Sequence, residues 1–308
     1  MSISKFTTYA NSRGKFLNMN LYLHVEVSVR ELDSKLLLAT LAASRGHNVI
    51  VSDLSGIIRG LRFNVLPPGI FHTKSLAPTY NRLKFHKNLI NKGFKITSID
   101  EEGCLAEYGY NTFANIRYSK KTVEQASAIF GWGPEDTDTL KQIYSDSSKK
   151  IYKTGSPRVD LWKETFSDYW KLKSSAIKKP FLLVSSSFSH ANNVRPLHER
   201  IKVFVDAGYY ARAPELLEKY FHRASEDYIN TLAFVEAIKH LAKNNIGYDI
   251  VVRPHPTEYL EAWKTYLKDI SNVHIIREDS ITLWVKNAFA VMHHDCTTAI
   301  EAIICKTP

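Results

Sequence analysis

A short apolar run, closed by a polar loop and followed by a helical pattern, recurs along this chain, and two occurrences near its end constrain the fold most. Tyr248 to Val252 ends in Arg253-Pro254-His255-Pro256, and Ala290 to Met292 ends in His293-His294-Asp295-Cys296-Thr297-Thr298 before a helix predicted over Thr298 to Cys305. Runs this short, bounded by turn residues and separated by helical stretches, read as strands of an open parallel sheet. Such a sheet delivers its C-terminal loops to a ligand crevice, and the helix that follows offers unpaired N–H groups to a phosphate. Two strand ends bearing cationic and hydroxyl groups point to one anion site, and so to a nucleotide-dependent enzyme.

The same alternation runs through the rest of the sequence. Leu21 to Val27 reads as a strand, Glu31 to Arg45 as a helix and Asn48 to Val51 as a strand, a βαβ opening. A short piece at Asn64 to Leu66, a polar helix near Thr79 to Lys92 and strands at Phe94 to Ile99 and Ala126 to Phe130 follow. Pro67-Pro68-Gly69 and Gly131-Trp132-Gly133-Pro134 punctuate them. A helix over Asp136 to Tyr144, a strand at Ile151 to Lys153 and a basic, aromatic helix from Asp160 to Lys173 complete the first half. A second series begins with Phe181 to Val184 and continues through Tyr248 to Val252, Val273 to Ile276 and Ala290 to Met292, with helices around Glu258 to Leu267 and Ser280 to Lys286.

At 308 residues and 44% hydrophobic, the chain is long enough for two α/β domains. The expected fold is two Rossmann-like domains facing a cleft, residues 1–174 with the basic connector and residues 175–308 as the donor-binding half. Because the sequence stops just after a helix where another strand would be expected, the second domain reads as incomplete.

Lys plus Arg exceed Asp plus Glu by 41 to 31. The segment Lys141 to Pro180 holds ten of the basic and four of the acidic residues, so it carries most of the excess. Such a bias suits an anionic substrate, a membrane surface or nucleic acid. Neither a zinc-finger spacing nor an RNA-recognition signature accompanies it, and Trp162, Phe166, Tyr169 and Trp170 fit a helix burying one face, so nucleic acid is not expected as a partner. Cys104, Cys296 and Cys305 offer neither a disulfide framework nor a zinc spacing. With no signal-type or membrane-spanning run, a cytoplasmic location is expected, with peripheral contact at the inner face of the membrane as a further option.

Five motifs carry candidate chemistry. Prolines on both sides of His255 fix the local backbone, so a rigid imidazole beside Arg253 can serve a departing phosphate; the bland alternative is a stiff surface turn. Thr297 or Thr298 can cap a helix with Glu301 reaching back as in a capping box, or the same groups can bind phosphate while Glu301 accepts from a ribose. Adjacent His293 and His294 in a strand point to opposite faces, which argues against zinc. Asp100-Glu101-Glu102-Gly103 ends a strand, and three adjacent acids can hold one carboxylate pKa up, as a general base requires; a solvated acidic loop is equally ordinary. Ser185-Ser186-Ser187 with Asn192-Asn193 is a hydroxyl-rich βα loop without the glycines of a dinucleotide fingerprint, and Arg158 follows a tight turn at Thr154-Gly155-Ser156-Pro157. Asp136-Thr137-Asp138 lies at a helix start and is not expected to hold a metal.

In order and placement, Glu101-Glu102-Gly103, His255-Pro256 and Thr297-Thr298 resemble the motifs of bacterial surface-carbohydrate biosynthesis proteins of the two-domain GT-B kind, similar to transferases that use CMP-activated Kdo or sialic acid. The family carries an acidic-acidic-Gly motif in its first domain, a His-Pro motif in its second and a later Ser/Thr pair. This chain has threonines after Cys296 where serines are common. The resemblance implies that Glu101, with Glu102 as runner-up, deprotonates an acceptor hydroxyl, and that His255 serves the leaving CMP phosphate. It further implies that Thr297 and Thr298 hold the same phosphate, with Glu301 at the ribose. Read from their loops alone, Arg253, Pro256, Ser186 and Ser187 are placed at the nucleotide site, and Arg158 is either part of a tight turn or faces the acceptor. The partners would be a nucleotide-sugar donor and a glycan or glycolipid acceptor; no cofactor and no metal are implied. Three other readings stay open: a CDP-glycerol-type polyol-phosphate transferase, a UDP-sugar 2-epimerase, and a non-catalytic module that docks on anionic glycan.

Overall fold

The computed structural model describes residues 18–103, 106, 109–171, 177, 179–244 and 247–308. The first half runs β1 (Asn20–His24), α1 (Ser28–Ala43), β2 (Asn48–Ser52), α2 (Leu54–Arg62), β3 (Ile70–Thr73), α3 (Tyr80–Asn91), β4 (Lys95–Ile99), α4 (Gly109–Arg117), α5 (Lys120–Gln125), β5 (Ala126–Gly131), α6 (Pro134–Ile143) and β6 (Ile151–Lys153). All its strand pairs are parallel, in the order β2-β1-β3-β4-β5-β6. The chain moves outward from β1 to β2 and then crosses to β3 on the other side. The crevice where a doubly wound sheet binds ligand therefore opens at the carboxyl ends of β1 and β3.

Helices α7 (Pro157–Trp162) and α8 (Ser167–Lys171) lead to the second sheet. It is built from β7 (Phe181–Ser185), α9 (Leu197–Asp206), α10 (Tyr209–Arg212), α11 (Glu215–Asn244), β8 (Asp249–Arg253), α12 (Leu260–Tyr266), β9 (Val273–Ile275), α13 (Ile281–Asn287), β10 (Ala290–His293) and α14 (Thr298–Cys305). Its order is β10-β7-β8-β9, again all parallel, so its own switch point lies between β7 and β10. The register sets Ser185 level with Arg253 on one side and with His293 on the other. The polar loops of the second sheet thus emerge from one edge. This is the expected α/β architecture of two Rossmann-like sheets.

Each sheet has its own core. Tyr22, Phe71, Ile96, Ile129 and Ile151 bury one face of the first under α2, α3 and α6. The second is covered on both faces, by Trp284 and Ala302 on one side and by Phe188, Ile238 and Trp263 on the other. That explains why β8 is buried at every position and reads as a continuous apolar run. Each fully buried side chain of this size contributes roughly 1.5–3 kcal/mol.

Several local expectations are corrected. The piece at Asn64 to Leu66 is not a strand; β3 begins at Ile70, after the Pro-Pro-Gly turn. The connector is not one helix from Asp160 to Lys173, since a 3-10 turn at Glu164–Phe166 separates α7 from α8, and residues 172–173 lie outside those described. Its apolar side chains Leu161 and Trp170 are buried in the second core, while Tyr169 Oη donates to Asp33 of α1. The connector is therefore fastened to both domains. Asp136 is a cap: its carboxylate accepts from the N–H groups of Trp132 at 2.7 Å and Gly133 at 2.9 Å, holding the start of α6. Among the described residues no helix is long and apolar enough to cross a membrane, and Cys104 lies outside them.

Candidate functional site

The carboxyl edges of the two sheets meet around a cavity of about 100 Å³. From the second domain it is lined by Ser185 and Ser186 after β7, by Arg253 to Pro256 after β8, by Arg277 after β9 and by Cys296 to Thr298 after β10. Val29 and Arg30 of α1 close it from the first domain, and Arg158 of α7 from the connector. His255, Pro256, Thr297 and Thr298, read from separate strand ends, share this one cavity.

The hydroxyls of Ser185 and Thr298 lie 3.1 Å apart across the β7/β10 switch point. Thr297 sits at the N-cap of α14 with helical backbone angles and makes no side-chain cap bond. The predicted capping box is absent, which leaves the first turn of the helix to face the cavity with its backbone dipole. Glu301, expected to reach back or to touch a ribose, does not reach back. It is fully buried, neither carboxylate oxygen makes a hydrogen bond within 3.5 Å among the described residues, and it does not line the cavity. Burial pushes its pKa up to about 7, against the weaker pull of the Thr282 hydroxyl and of Arg158, Lys286 and Arg253.

His255 is oriented by its own turn. Its Nδ1 accepts from the backbone N–H of Thr257 at 3.3 Å and lies 2.8 Å from the Thr257 hydroxyl. In the neutral ring the proton is therefore assigned to Nε2, from this hydrogen-bond pattern. Burial, then the neighbouring Arg30, lowers the His255 pKa to about 4 despite the counter-pull of Glu102. At neutral pH it is a hydrogen-bond donor through Nε2–H, not a preloaded acid.

The other second-domain residues are more committed than the sequence suggests. The guanidinium of Arg253 is buried, and it donates to the carbonyls of Glu278, Arg277 and Asp279, so it braces the loop after β9 even as it lines the cavity. Arg277, which the sequence reading missed, donates to the carbonyls of Glu258 at 2.6 Å and His255 at 3.3 Å. Among the described residues its buried Nε has no partner. Ser186 donates its hydroxyl to Glu258, and Ser187 is not among the cavity-lining residues.

On the first-domain side the acidic motif is split among cations rather than left to repel itself. Asp100 takes a two-point bond from Arg117 at 2.8 and 2.9 Å. Glu101 is 3% exposed and locked to Lys35, itself 1% exposed, at 2.5 Å. Glu102 is 44% exposed, 3.0 Å from Arg117 and 3.6 Å from Arg30. Burial pushes the Glu102 pKa up, but Arg117, Arg30 and Lys74 outweigh it and the net shift is downward. At Glu102 the shift is opposite to the rise expected from neighbouring acids, because the cations beside it outweigh them. Glu101, favoured as the base, is enclosed; Glu102 is the motif's open acid. Gly103 serves packing: a Cβ there would stand 2.9 Å from Trp132, whose Nε1 donates to the Asp100 carbonyl at 2.7 Å.

Arg158 lies at the cavity wall, donates to the Glu101 carbonyl at 3.1 Å and packs near the rings of Trp132 and Trp162. His293 is exposed, whereas His294 stacks on Phe188 and bonds Asn230, so the two rings diverge as strand geometry requires.

No protein-family model and no curated protein matches the chain. Among solved structures it is similar to the glycosyltransferase SnogD from Streptomyces nogalater, at 11% identity over 93% of this chain and 79% of that one, with a TM-score of 0.37. It is also similar to the E. coli heptosyltransferase WaaC with ADP-2-deoxy-2-fluoro heptose, at 10% identity over 94% and 87%, with a TM-score of 0.38. WaaC with ADP gives 9% identity over 94% and 86%, with a TM-score of 0.34. At these values the likeness assigns no activity, and the architecture rests on the strand order and pairing described above.

Proposed function

We propose that the chain is a nucleotide-sugar-dependent glycosyltransferase that binds its donor phosphate against Thr297, Thr298 and His255. The observation that carries this is their convergence: an imidazole from the β8 end and two threonines from the start of α14 line one cavity whose other wall holds Arg30 and Arg158. Helix-terminal N–H groups, the Nε2–H of His255 and the guanidinium of Arg277 suit one phosphate, whose charge they stabilise as the sugar leaves. The sequence resemblance makes the donor a CMP-activated ulosonic acid of the Kdo or sialic type, and the acceptor a surface polysaccharide or glycolipid.

In this reading the acceptor hydroxyl attacks the anomeric carbon and the bond to the phosphate oxygen breaks. Glu102 takes the acceptor proton, and His255 donates a hydrogen bond to the departing oxygen. Because the Glu102 pKa is lowered, proton transfer accompanies bond formation rather than preceding it.

The test is a thermal-shift panel with CMP, CDP, UDP and NAD, run with and without EDTA, followed by transfer assays with CMP-linked donors. A rise with CMP that survives EDTA is expected, and a UDP-selective rise overturns the reading. Replacing His255 by alanine is expected to cut turnover by about 10²–10⁴ with the fold intact; a protein that only docks on glycan would keep its binding.

A further inference from the structure

Directly behind the cavity lies a carboxylate that the functional reading leaves unused. Glu258 is 0% exposed. Its oxygens accept from the Ser186 hydroxyl at 2.9 and 3.0 Å, the Phe188 N–H at 2.9 Å, the indole N–H of Trp263 at 2.6 Å and the His255 N–H at 3.4 Å. Its main chain is equally engaged: the Glu258 N–H donates to the His255 carbonyl at 2.8 Å, and its carbonyl accepts from Arg277 at 2.6 Å. Residue 258 therefore ties together the loops after β7, β8 and β9.

We propose that Glu258 is a positioning residue, an ionised carboxylate that holds these three loops in register and so sets the direction in which His255 faces the cavity. Every group aimed at it is a donor, and three of the four are N–H groups that cannot reverse. Each carboxylate oxygen faces at least one of these N–H groups, so an amide nitrogen in either place would set donor against donor. Burying a charge without a cation is costly, and burial does raise the Glu258 pKa against the pull of Trp263, Phe188, Ser186 and His255. Four charge-assisted bonds offset that cost and fix geometry, which an apolar residue of the same volume would not do. The turn that Glu258 closes is the same turn in which Thr257 bonds His255 Nδ1.

The proposal rests on the reading that this cavity holds a nucleotide phosphate, and two readouts on the full chain separate the two. Nitrogen-15 spectra of the histidine rings, recorded without nucleotide, report the His255 tautomer; calorimetry with CMP reports the phosphate site. In Glu258→Gln the His255 signals are expected to leave the pattern of a single Nε2–H tautomer, and CMP affinity to fall by about tenfold or more. A wild-type chain that ignores CMP overturns the phosphate reading, while the ring spectra still decide the role of Glu258. Unchanged ring signals in Glu258→Gln, with CMP affinity within about twofold of wild type, overturn the proposal. Should Glu258→Gln fail to fold, Trp263→Phe decides. It removes the 2.6 Å donor and leaves the carboxylate; a smaller displacement of the same signals supports the proposal, and no displacement overturns it.

Discussion

The two sides of the cavity handle carboxylates in opposite ways. On the first-domain side each acid of the motif meets a cation in contact: Asp100 with Arg117, Glu101 with Lys35, Glu102 with Arg117 and Arg30. On the second-domain side, among the described residues, Glu258 is held by neutral donors and neither oxygen of Glu301 makes a hydrogen bond within 3.5 Å. Ion pairing silences an acid by balancing its charge, whereas neutral donors orient it and leave the charge in place. Asp100 and Glu101, both buried, are thus electrostatically settled before any ligand arrives, while Glu102 stays partly open. The second side keeps unbalanced groups close to where an anion would bind.

Breaking the contrast on the first side should give the largest effect. Lys35→Met leaves Glu101 buried without its cation and is expected to cost about 3–5 kcal/mol in urea unfolding. Adding Glu101→Gln should restore much of that loss. If Lys35→Met is neutral, the pairing is not what settles this side.

On the second side the sign reverses. Burial raises the folded-state pKa of Glu301 to about 7 from the ordinary glutamate value of 4.5. The folded chain therefore holds a proton that the unfolded chain has lost between pH 4.5 and 7, and stability falls as pH rises through that window. The shift corresponds to about 3 kcal/mol at most. Glu301→Gln is expected to stabilise by an amount approaching this at pH 8 and to gain little at pH 4.5. Equal gains at both values would show that Glu301 is not protonated in the fold.

The histidines sharpen the comparison from the acid side. Burial depresses the pKa of His24 and His255 to about 4 and of His86 to about 3. Their contribution is present above the ordinary histidine value and lost as pH falls from 6.5 toward 4, because the unfolded chain takes up protons first. Proton NMR should find their ring signals unchanged down to about pH 5. The smallest effect belongs to the exposed pair Lys202 and Asp206 on α9, 2.9 Å apart, where Lys202→Ala should leave the unfolding midpoint in place.

Much of the architecture was legible because strands buried on both faces, such as β7 and β8, must be apolar throughout. The helix over Thr298 to Cys305 was read with the bounds the structure gives it. β3 was missed because only Ile70 and Phe71 are apolar, and the preceding prolines drew attention to the turn. α2 was findable: Asp53 caps it, and Leu54, Ile57, Ile58 and Leu61 recur at helical spacing. The cavity was legible as loops at strand ends but not in its wiring. Nothing local distinguishes Glu258 from any acid at a helix start, or shows that Arg253 and Arg277 both bind loop carbonyls while lining the cavity, since those facts depend on which loops the sheet order sets side by side. Three adjacent acids suggested mutual repulsion because Lys35 and Arg117 lie 66 and 17 residues away from their partners.

The connector limits how this cavity can open. Arg158 holds the Glu101 carbonyl and Tyr169 holds Asp33 on one side, while Leu161 and Trp170 are sunk into the core of the other. A segment riveted to both jaws cannot act as a free hinge. Small excursions would proceed as a slide of α7 along α1 and α14, which it touches, with Gly155 at φ +82° as the neighbouring swivel. Wider gaping would first have to unfasten those two polar rivets, so entry and exit of a bulky molecule would be timed by their release.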